Sequence, residues 1–324
     1  MRGMRLADGL LERNRQAELE ALVATLRARG YHFVPPTPAT HARVLARDPG
    51  RRADSLEDVL GWSRAFLPGR IDPEIERLLE SAGAIEVTPE GHRSRLRAAS
   101  VEGEIFLHSA YPTTSPDAVF LGPDSYRFAR LILAELERSR CLPGSTVVDI
   151  GTGAGVGGIV AARHIADAEL VLTDINPVAL QLAAANAAAT GVKAVTRHGA
   201  LLAGHHGAIE FAVANPPYII DDDGPAYRNG GDRHGAGLSI EMASAVLPRL
   251  ARDGRLVLYT GSAIVSGEDA LHPILVRQAQ AHACTLHYAE IDPDVFGEEL
   301  EREAYADVDR IAVVSAIFTR EKDD

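Results

Sequence analysis

Residues 146–318 alternate short apolar, β-branched runs with helical stretches, and this rhythm constrains the fold more than any other feature. The strand candidates are Thr146–Ile150, Glu169–Thr173, Ala194–Arg197, Glu210–Ala214, Arg255–Tyr259, Leu286–Ile291 and Ile311–Phe318. Helical patterns at Gly158–Ile165, Pro177–Ala189, Leu238–Ala251 and Asp269–His282 lie between most of them, and an amphipathic helix over Asp124–Arg138 precedes them. A strand that returns through a helix pairs parallel to its predecessor by a right-handed crossover, so a doubly wound α/β sheet is expected. No helix separates the last two strands, which predicts an antiparallel ending.

Residues 1–110 read differently. A helix is expected from Leu10 to Arg29, closed by Gly30 and followed by the stiff connection Pro35-Pro36-Thr37-Pro38. Helices at about Ser55–Phe66 and Asp72–Ala82 come next, then short strands at Ala84–Thr88, Arg95–Ala99 and Glu104–His108. Helices followed by a strand hairpin resemble a small winged-helix-like domain. Charge marks the same boundary. Residues 1–110 carry 16 basic and 16 acidic side chains, and residues 111–324 carry 17 and 29, so the net charge of −12 lies on the second part. Two domains are expected, 1–110 and 111–324. An acidic second domain disfavours nucleic acid as a partner, because that affinity rests on Lys and Arg neutralising phosphates. No run of 18 apolar residues is long enough for a membrane helix. Asp8 and Gly9 interrupt the start before a secretion core can build. Cys141 and Cys284 match neither a disulfide framework nor a zinc spacing. A cytoplasmic, metal-free protein is expected.

The strand Thr146–Ile150 runs into Gly151-Thr152-Gly153-Ala154-Gly155-Val156-Gly157-Gly158 and then a helix. Glycines let the chain turn sharply and let a ligand come close to the backbone. A turn that binds nothing would have the same composition. Its place after the first strand of the sheet and at the head of a helix favours a nucleotide-type cofactor. Asp174 closes the second strand 23 positions beyond Gly151, where a carboxylate can accept hydrogen bonds from ribose hydroxyls. Asn176, next to Pro177, is the better helix cap. These two features fit nicotinamide and S-adenosylmethionine enzymes equally.

Asn215-Pro216-Pro217-Tyr218 separates them. The tetrapeptide follows the fourth strand, and a chance occurrence in this chain is on the order of one in a thousand. The carboxyl end of a parallel strand is where open α/β sheets bind ligands. The prolines stiffen the loop and remove two N–H donors. The Asn215 side-chain carbonyl and the Pro216 backbone carbonyl can accept hydrogen bonds from a substrate NH₂, and the Tyr218 ring offers a planar face. The favoured acceptor is a conjugated nitrogen: an amide, a guanidine or an exocyclic base amine. Its lone pair is delocalised, so orientation and electrostatic preorganisation would carry the catalysis.

In this order, Asp149–Gly157, Asp174 and Asn215–Tyr218 resemble a class I S-adenosylmethionine-dependent methyltransferase of the Asn-Pro-Pro-Tyr branch. The texture is similar to the HemK-like protein-glutamine methyltransferases, over roughly residues 120–320. The resemblance implies a seven-stranded, Rossmann-like sheet. It implies Gly151, Gly153 and Gly155 around the methionine part of the cofactor and Asp174 on its ribose. It implies Asn215 and Tyr218 around the accepting nitrogen. The candidate cofactor residues are Asp149, Gly151, Thr152, Gly153, Gly155, Asp174, Ile175, Ala200 and Asn215. The candidate catalytic residues are Asn215, Pro216 and Tyr218. Three departures stand out. Phe120-Leu121-Gly122-Pro123-Asp124-Ser125 replaces the family's Pro-Arg-Pro-x-Thr-Glu, though its position still suggests a loop over the cofactor. The stretch after the third strand, Arg197-His198-Gly199-Ala200-Leu201-Leu202, lacks the acidic adenine contact, and backbone groups near Ala200 are its expected substitute. The first 110 residues do not obviously resemble the helical domain that the family uses on release factors.

Asp221-Asp222-Asp223 and Glu298–Glu303 are acidic clusters near the expected site, which favours a cationic or zwitterionic small molecule such as a free amino acid, or a protein side chain. The alternatives are a release-factor glutamine and a nucleic-acid base. For the base, Arg93, Arg95 and Arg97 would line one strand face. Trp62 and Phe66 read as helix core.

Overall fold

The computed structural model describes residues 2–221 and 228–321. The expected sheet is present. Strands β5 (Thr146–Ile150), β6 (Glu169–Asp174), β7 (Ala194–His198), β8 (Ile209–Ala214), β9 (Leu250–Val265), β11 (Cys284–Asp292) and β12 (Arg310–Arg320) stand in the order β11-β12-β9-β8-β5-β6-β7. The two-residue strand β10 (Glu268–Asp269) adds to β9. Pairing is parallel from β7 through to β9, and β12 and β11 close the sheet antiparallel. The helices α5 (Pro123–Arg138), α6 (Val156–Arg163) and α7 (Pro177–Ala189) cover one face. The helices α8 (Gly237–Val246) and α9 (His272–Ala281) cover the other.

Both faces are dry, so the central strands are continuous apolar runs whose alternate residues enter opposite cores. Val147 and Val213 pack towards α5–α7, whereas Val148, Ile150, Ala212 and Ala214 pack towards α8 and α9. Strand β9 is far longer than its expected five residues, because β12 pairs along it from Arg255 to Ile264.

The N-terminal part contains α1 (Arg2–Ala28), α2 (Pro38–Ala46), α3 (Leu56–Leu60) and α4 (Pro73–Ser81). Two hairpins follow, β1 (Ile85–Thr88) with β2 (Gly91–Ser94), and β3 (Leu96–Val101) with β4 (Glu104–Ser109). Three sequence-based expectations change here. Pro38 opens a helix capped by the Thr37 hydroxyl, so the stiff connection ends one residue earlier. The helix expected over Ser55–Phe66 stops at Leu60, and Trp62 and Phe66 pack in irregular chain, Phe66 bridging to His92. Arg93, Arg95 and Arg97 do not form one exposed strand face. The break between β2 and β3 falls among them, Arg97 is buried, and Arg93 donates to the Ser63 carbonyl.

Packing continues without interruption from this part into the sheet. Leu19, Leu22, Val23 and Leu26 of α1 and Phe106 and Leu107 of β4 share one core with Ile159, Leu170 and Leu182. At the junction lies Asn186 of α7, fully buried. Its side chain accepts from the Leu107 N–H (2.9 Å) and donates to the carbonyls of Leu107 (3.1 Å) and Ala154 (2.8 Å). A buried amide is tolerated only when its hydrogen-bonding capacity is met, and here the partners come from two separate parts of the chain.

Two histidines of the N-terminal part are fully buried. His108 has no partner for either ring nitrogen among the described residues, and His41 stacks on Tyr111 with its Nδ1 unpartnered. Burial, reinforced by Arg97, holds both below the ordinary imidazole value, His41 at about 4. The native state therefore resists protonation that the unfolded chain accepts. Stability present above pH 6.5 is lost as pH falls, down to about pH 4. For His41 alone the loss is on the order of 3 kcal/mol. Urea unfolding between pH 7.5 and 4.5 should show it, and His108→Leu should flatten the slope. A flat wild-type profile would refute the assignment.

Candidate active site

Strand register builds the site. In β5, Ile150 pairs with Thr173 of β6 on one side and with Ala214 of β8 on the other. The next residues are Gly151, Asp174 and Asn215. They therefore leave three adjacent strands level with one another, about 5 Å apart from strand to strand. The chain moves outward from β5 to β6 and β7, then returns to β8 on the opposite side. The crevice between β5 and β8 is thus the topological switch point, where such sheets bind ligands.

Gly151, Gly153 and Gly155 all have left-handed backbone, with φ of +66°, +54° and +87°. A Cβ on Gly153 would meet nothing within 4 Å, so the turn presents open backbone. Gly157 and Gly158 serve packing. A Cβ there would strike Phe128 at 2.5 Å and the Asp149 Cβ at 2.8 Å. Asp149 is spent on the turn itself, accepting from the Thr152 hydroxyl (2.7 Å) and the Gly158 N–H (2.8 Å). Burial raises its pKa to about 6 against those two hydrogen bonds. Asp174 is half-buried. It accepts from the Gly153 N–H (3.0 Å) and the Asn176 N–H (2.8 Å), and burial raises its pKa despite these bonds. Asn176 caps α7 through Val178, as expected, and also donates to the Asp117 carbonyl, which hangs the segment before α5 beside the site.

Ile175 is 59% exposed next to Asp174, a bare apolar surface at the mouth of the crevice. Ala200, also exposed, follows β7, where the Thr173 hydroxyl donates to the Leu201 carbonyl and holds that loop on β6. An open glycine cradle, a half-buried carboxylate and an exposed apolar side chain along one edge fit a cofactor with a charged amino-acid end, a ribose and a flat ring.

Asn215 is half-buried, and its side chain has no hydrogen-bond partner among the described residues. Pro216 is buried and Tyr218 nearly so, 7% exposed. The Tyr218 hydroxyl donates to Asp124 Oδ2 at 2.8 Å. Burial and then the Asp124 charge push its pKa well above the ordinary phenol value. Tyr259 of β9, fully buried, donates to Asp124 Oδ1 at 2.8 Å. One face of the Tyr218 ring lies on Gly261, where a Cβ would come within 2.2 Å, and the Phe296 ring packs against it at 5.7 Å. Gly230 and Gly235 admit the loop backbone just as closely. None of Asp124, Tyr259 or Gly261 was singled out from sequence as a site residue. Asp124 falls in the segment expected to cover the cofactor, which is the one signal that pointed there.

One carboxylate of each acidic cluster is paired with arginine, while Glu298, Glu301 and Glu303 are exposed. Arg228 pairs with Asp221 (2.9 Å) and Glu299 (2.8 Å), and Arg302 with Glu299 (2.7 Å). Tyr305 accepts from the Ile220 N–H at 2.7 Å, tying the exit of the loop to the segment between β11 and β12. Asp222 and Asp223 lie outside the described residues.

The Methyltransferase small domain family matches residues 115–226. The chain is 30% identical over 286 residues to the release factor glutamine methyltransferase of Deinococcus radiodurans, covering 87% of this chain and 96% of that one. This chain belongs to the HemK-like family of S-adenosylmethionine-dependent methyltransferases. The release factor glutamine methyltransferase of Mycolicibacterium smegmatis is 28% identical, over 73% of this chain and 80% of its own. The ribosomal protein L11 methyltransferase of Symbiobacterium thermophilum is 42% identical over 154 residues, 48% of this chain and 43% of its own. This HemK-like protein is thus an S-adenosylmethionine-dependent N-methyltransferase. Among the described residues, no helix is long and apolar enough to cross a membrane.

Asp174→Ala should weaken S-adenosylmethionine by roughly tenfold or more, since it removes a charged acceptor at the strand end. Calorimetry would test this, and unchanged affinity would move the ribose contact elsewhere.

Proposed function

We propose that this HemK-like enzyme methylates the side-chain amide nitrogen of a glutamine in a protein of the release-factor type. The carrying observation is Asn215, an uncommitted, half-buried amide level with the glycine turn on the adjacent strand. Its Oδ1 and the Pro216 carbonyl would accept the two amide hydrogens of the substrate. Two acceptors fix the plane of the amide and take up positive charge as it grows on nitrogen. Bound in the crevice, S-adenosylmethionine supplies the electrophilic methyl group. Gly151, Gly153 and Gly155 would hold its amino-acid end, Asp174 its ribose, and Ile175 and the backbone at Ala200 its base. Asp149 and Thr152 would act by shaping the turn.

The relatives named as release factor glutamine methyltransferases support a protein amide over a free cationic amino acid. The pairing of Asp221 and Glu299 with arginines also takes these two carboxylates away from a cationic substrate. In this reading residues 1–110 select the substrate and residues 111–324 carry the chemistry, and a translation factor as substrate sets the reaction in the cytoplasm.

Labelled S-adenosylmethionine offered with release factors, free amino acids and RNA should mark a glutamine of the release factor. Asn215→Ala should abolish transfer while leaving cofactor affinity within about threefold, as expected for a group that touches only the acceptor. Label entering RNA alone, or cofactor binding lost in the variant, would refute the assignment.

A further inference from the structure

We propose that Asp124 is a positioning residue for the acceptor loop: one carboxylate, on the first turn of α5, fixes the Tyr218 ring that bounds the acceptor slot. This rests on the reading of Asn215–Tyr218 as that loop. The two oxygens of Asp124 are divided between two phenols from different elements, Tyr218 of the loop after β8 and Tyr259 inside β9, each at 2.8 Å. Hydrogen bonds to an ionised acceptor are about twice as strong as neutral ones. Arg127, one turn further along α5, balances the charge at 2.9 Å and reaches Asp292 at the end of β11 at 3.2 Å. The carboxylate is thus itself held in place, by a helix that packs on the sheet.

The other contacts of the Tyr218 ring are apolar packing, so among the described residues Asp124 is the one hydrogen-bond partner of its hydroxyl. Gly261 leaves room for one face, and Phe296 touches it edge-on across 5.7 Å. Without Asp124 the buried hydroxyl would lack that partner, a cost that a shift of the ring would relieve. The slot beside Asn215 would then change shape, although every group meeting substrate or cofactor is still present. A displacement of about 1 Å at a reacting centre can cost about 100-fold in rate. The arrangement also removes the Tyr218 hydrogen from use on substrate, so recognition of the amide rests with Asn215 and Pro216.

The test compares Asp124→Asn, Tyr218→Phe and the double variant, using labelled S-adenosylmethionine and a release factor. Asp124→Asn should lower kcat about 10- to 100-fold, with cofactor affinity from calorimetry within about threefold. Because both residues act through one ring, the double variant should be no slower than the slower single variant. Tyr259→Phe leaves Asp124 held by Arg127 and Tyr218, and should cost only a few-fold. A crystal structure of Asp124→Asn should show the Tyr218 ring displaced over an unmoved Asn215 backbone. Multiplicative losses in the double variant, or a lowered Tm with unchanged kcat in Asp124→Asn, would overturn the proposal. If Asn215→Ala also kept full turnover, the acceptor-loop reading itself would fall. Full dependence on Asn215 with an inert Asp124→Asn would remove this inference alone.

Discussion

Three parallel strands that end level with one another underlie the chemistry. With Ile150, Thr173 and Ala214 in register, the residues that follow are forced into a row at the switch point of the sheet. Everything else refines that row. Asp149 folds the turn after β5 back on itself, Asp174 pins the turn to β6, and Asp124 reaches over to steady the loop after β8. A slip of one residue in β5 would send Asp149 into the α8–α9 core and turn the glycines away from the crevice. The hydrophobic demand of two dry faces prevents that slip, so the same alternation that builds the core also aligns the site.

Carboxylates therefore do two kinds of work in this acidic chain. Those at the strand ends are internal fasteners that gather N–H and O–H donors. Two nearer the exit of the loop after β8 are held by arginines: Asp221 by Arg228, and Glu299, buried, by both Arg228 and Arg302. Part of the net charge of −12 is thus taken up inside the protein, by donors and arginines of its own.

Much of this was legible in the sequence wherever structure follows from local pattern. Strand β5 and helix α7 have the bounds expected of them, because an apolar run ending at a glycine and an Asn-Pro start ending in an alanine tract are signals carried by adjacent residues. The row Gly151, Asp174 and Asn215 was legible through spacing and through the topology that alternation imposes. What escaped depends on partners distant in sequence. Nothing local in Arg255–Tyr259 announces the length of β9, which is set by pairing with β12, far along the chain. Arg97 reads as one of three surface arginines until the hairpin buries it. Gly261 has no turn to make; its missing side chain matters only because the Tyr218 ring lies on it. Thr37-Pro38 was a local signal and simply outweighed by the prolines before it.

Asn186 has a consequence for how such a protein can be taken apart. Its amide joins β4, in the first 110 residues, to Ala154, inside the glycine turn. A chimera that exchanged the N-terminal part for that of another protein would inherit this amide with nothing certain to meet it. The graft would have to supply a strand edge at the position of Leu107 as well as an apolar surface for α7. Module swapping, the usual route to a new specificity in two-part enzymes, is closed here unless the donor carries a matching backbone edge, and change in substrate is more accessible through the loops that rim the crevice.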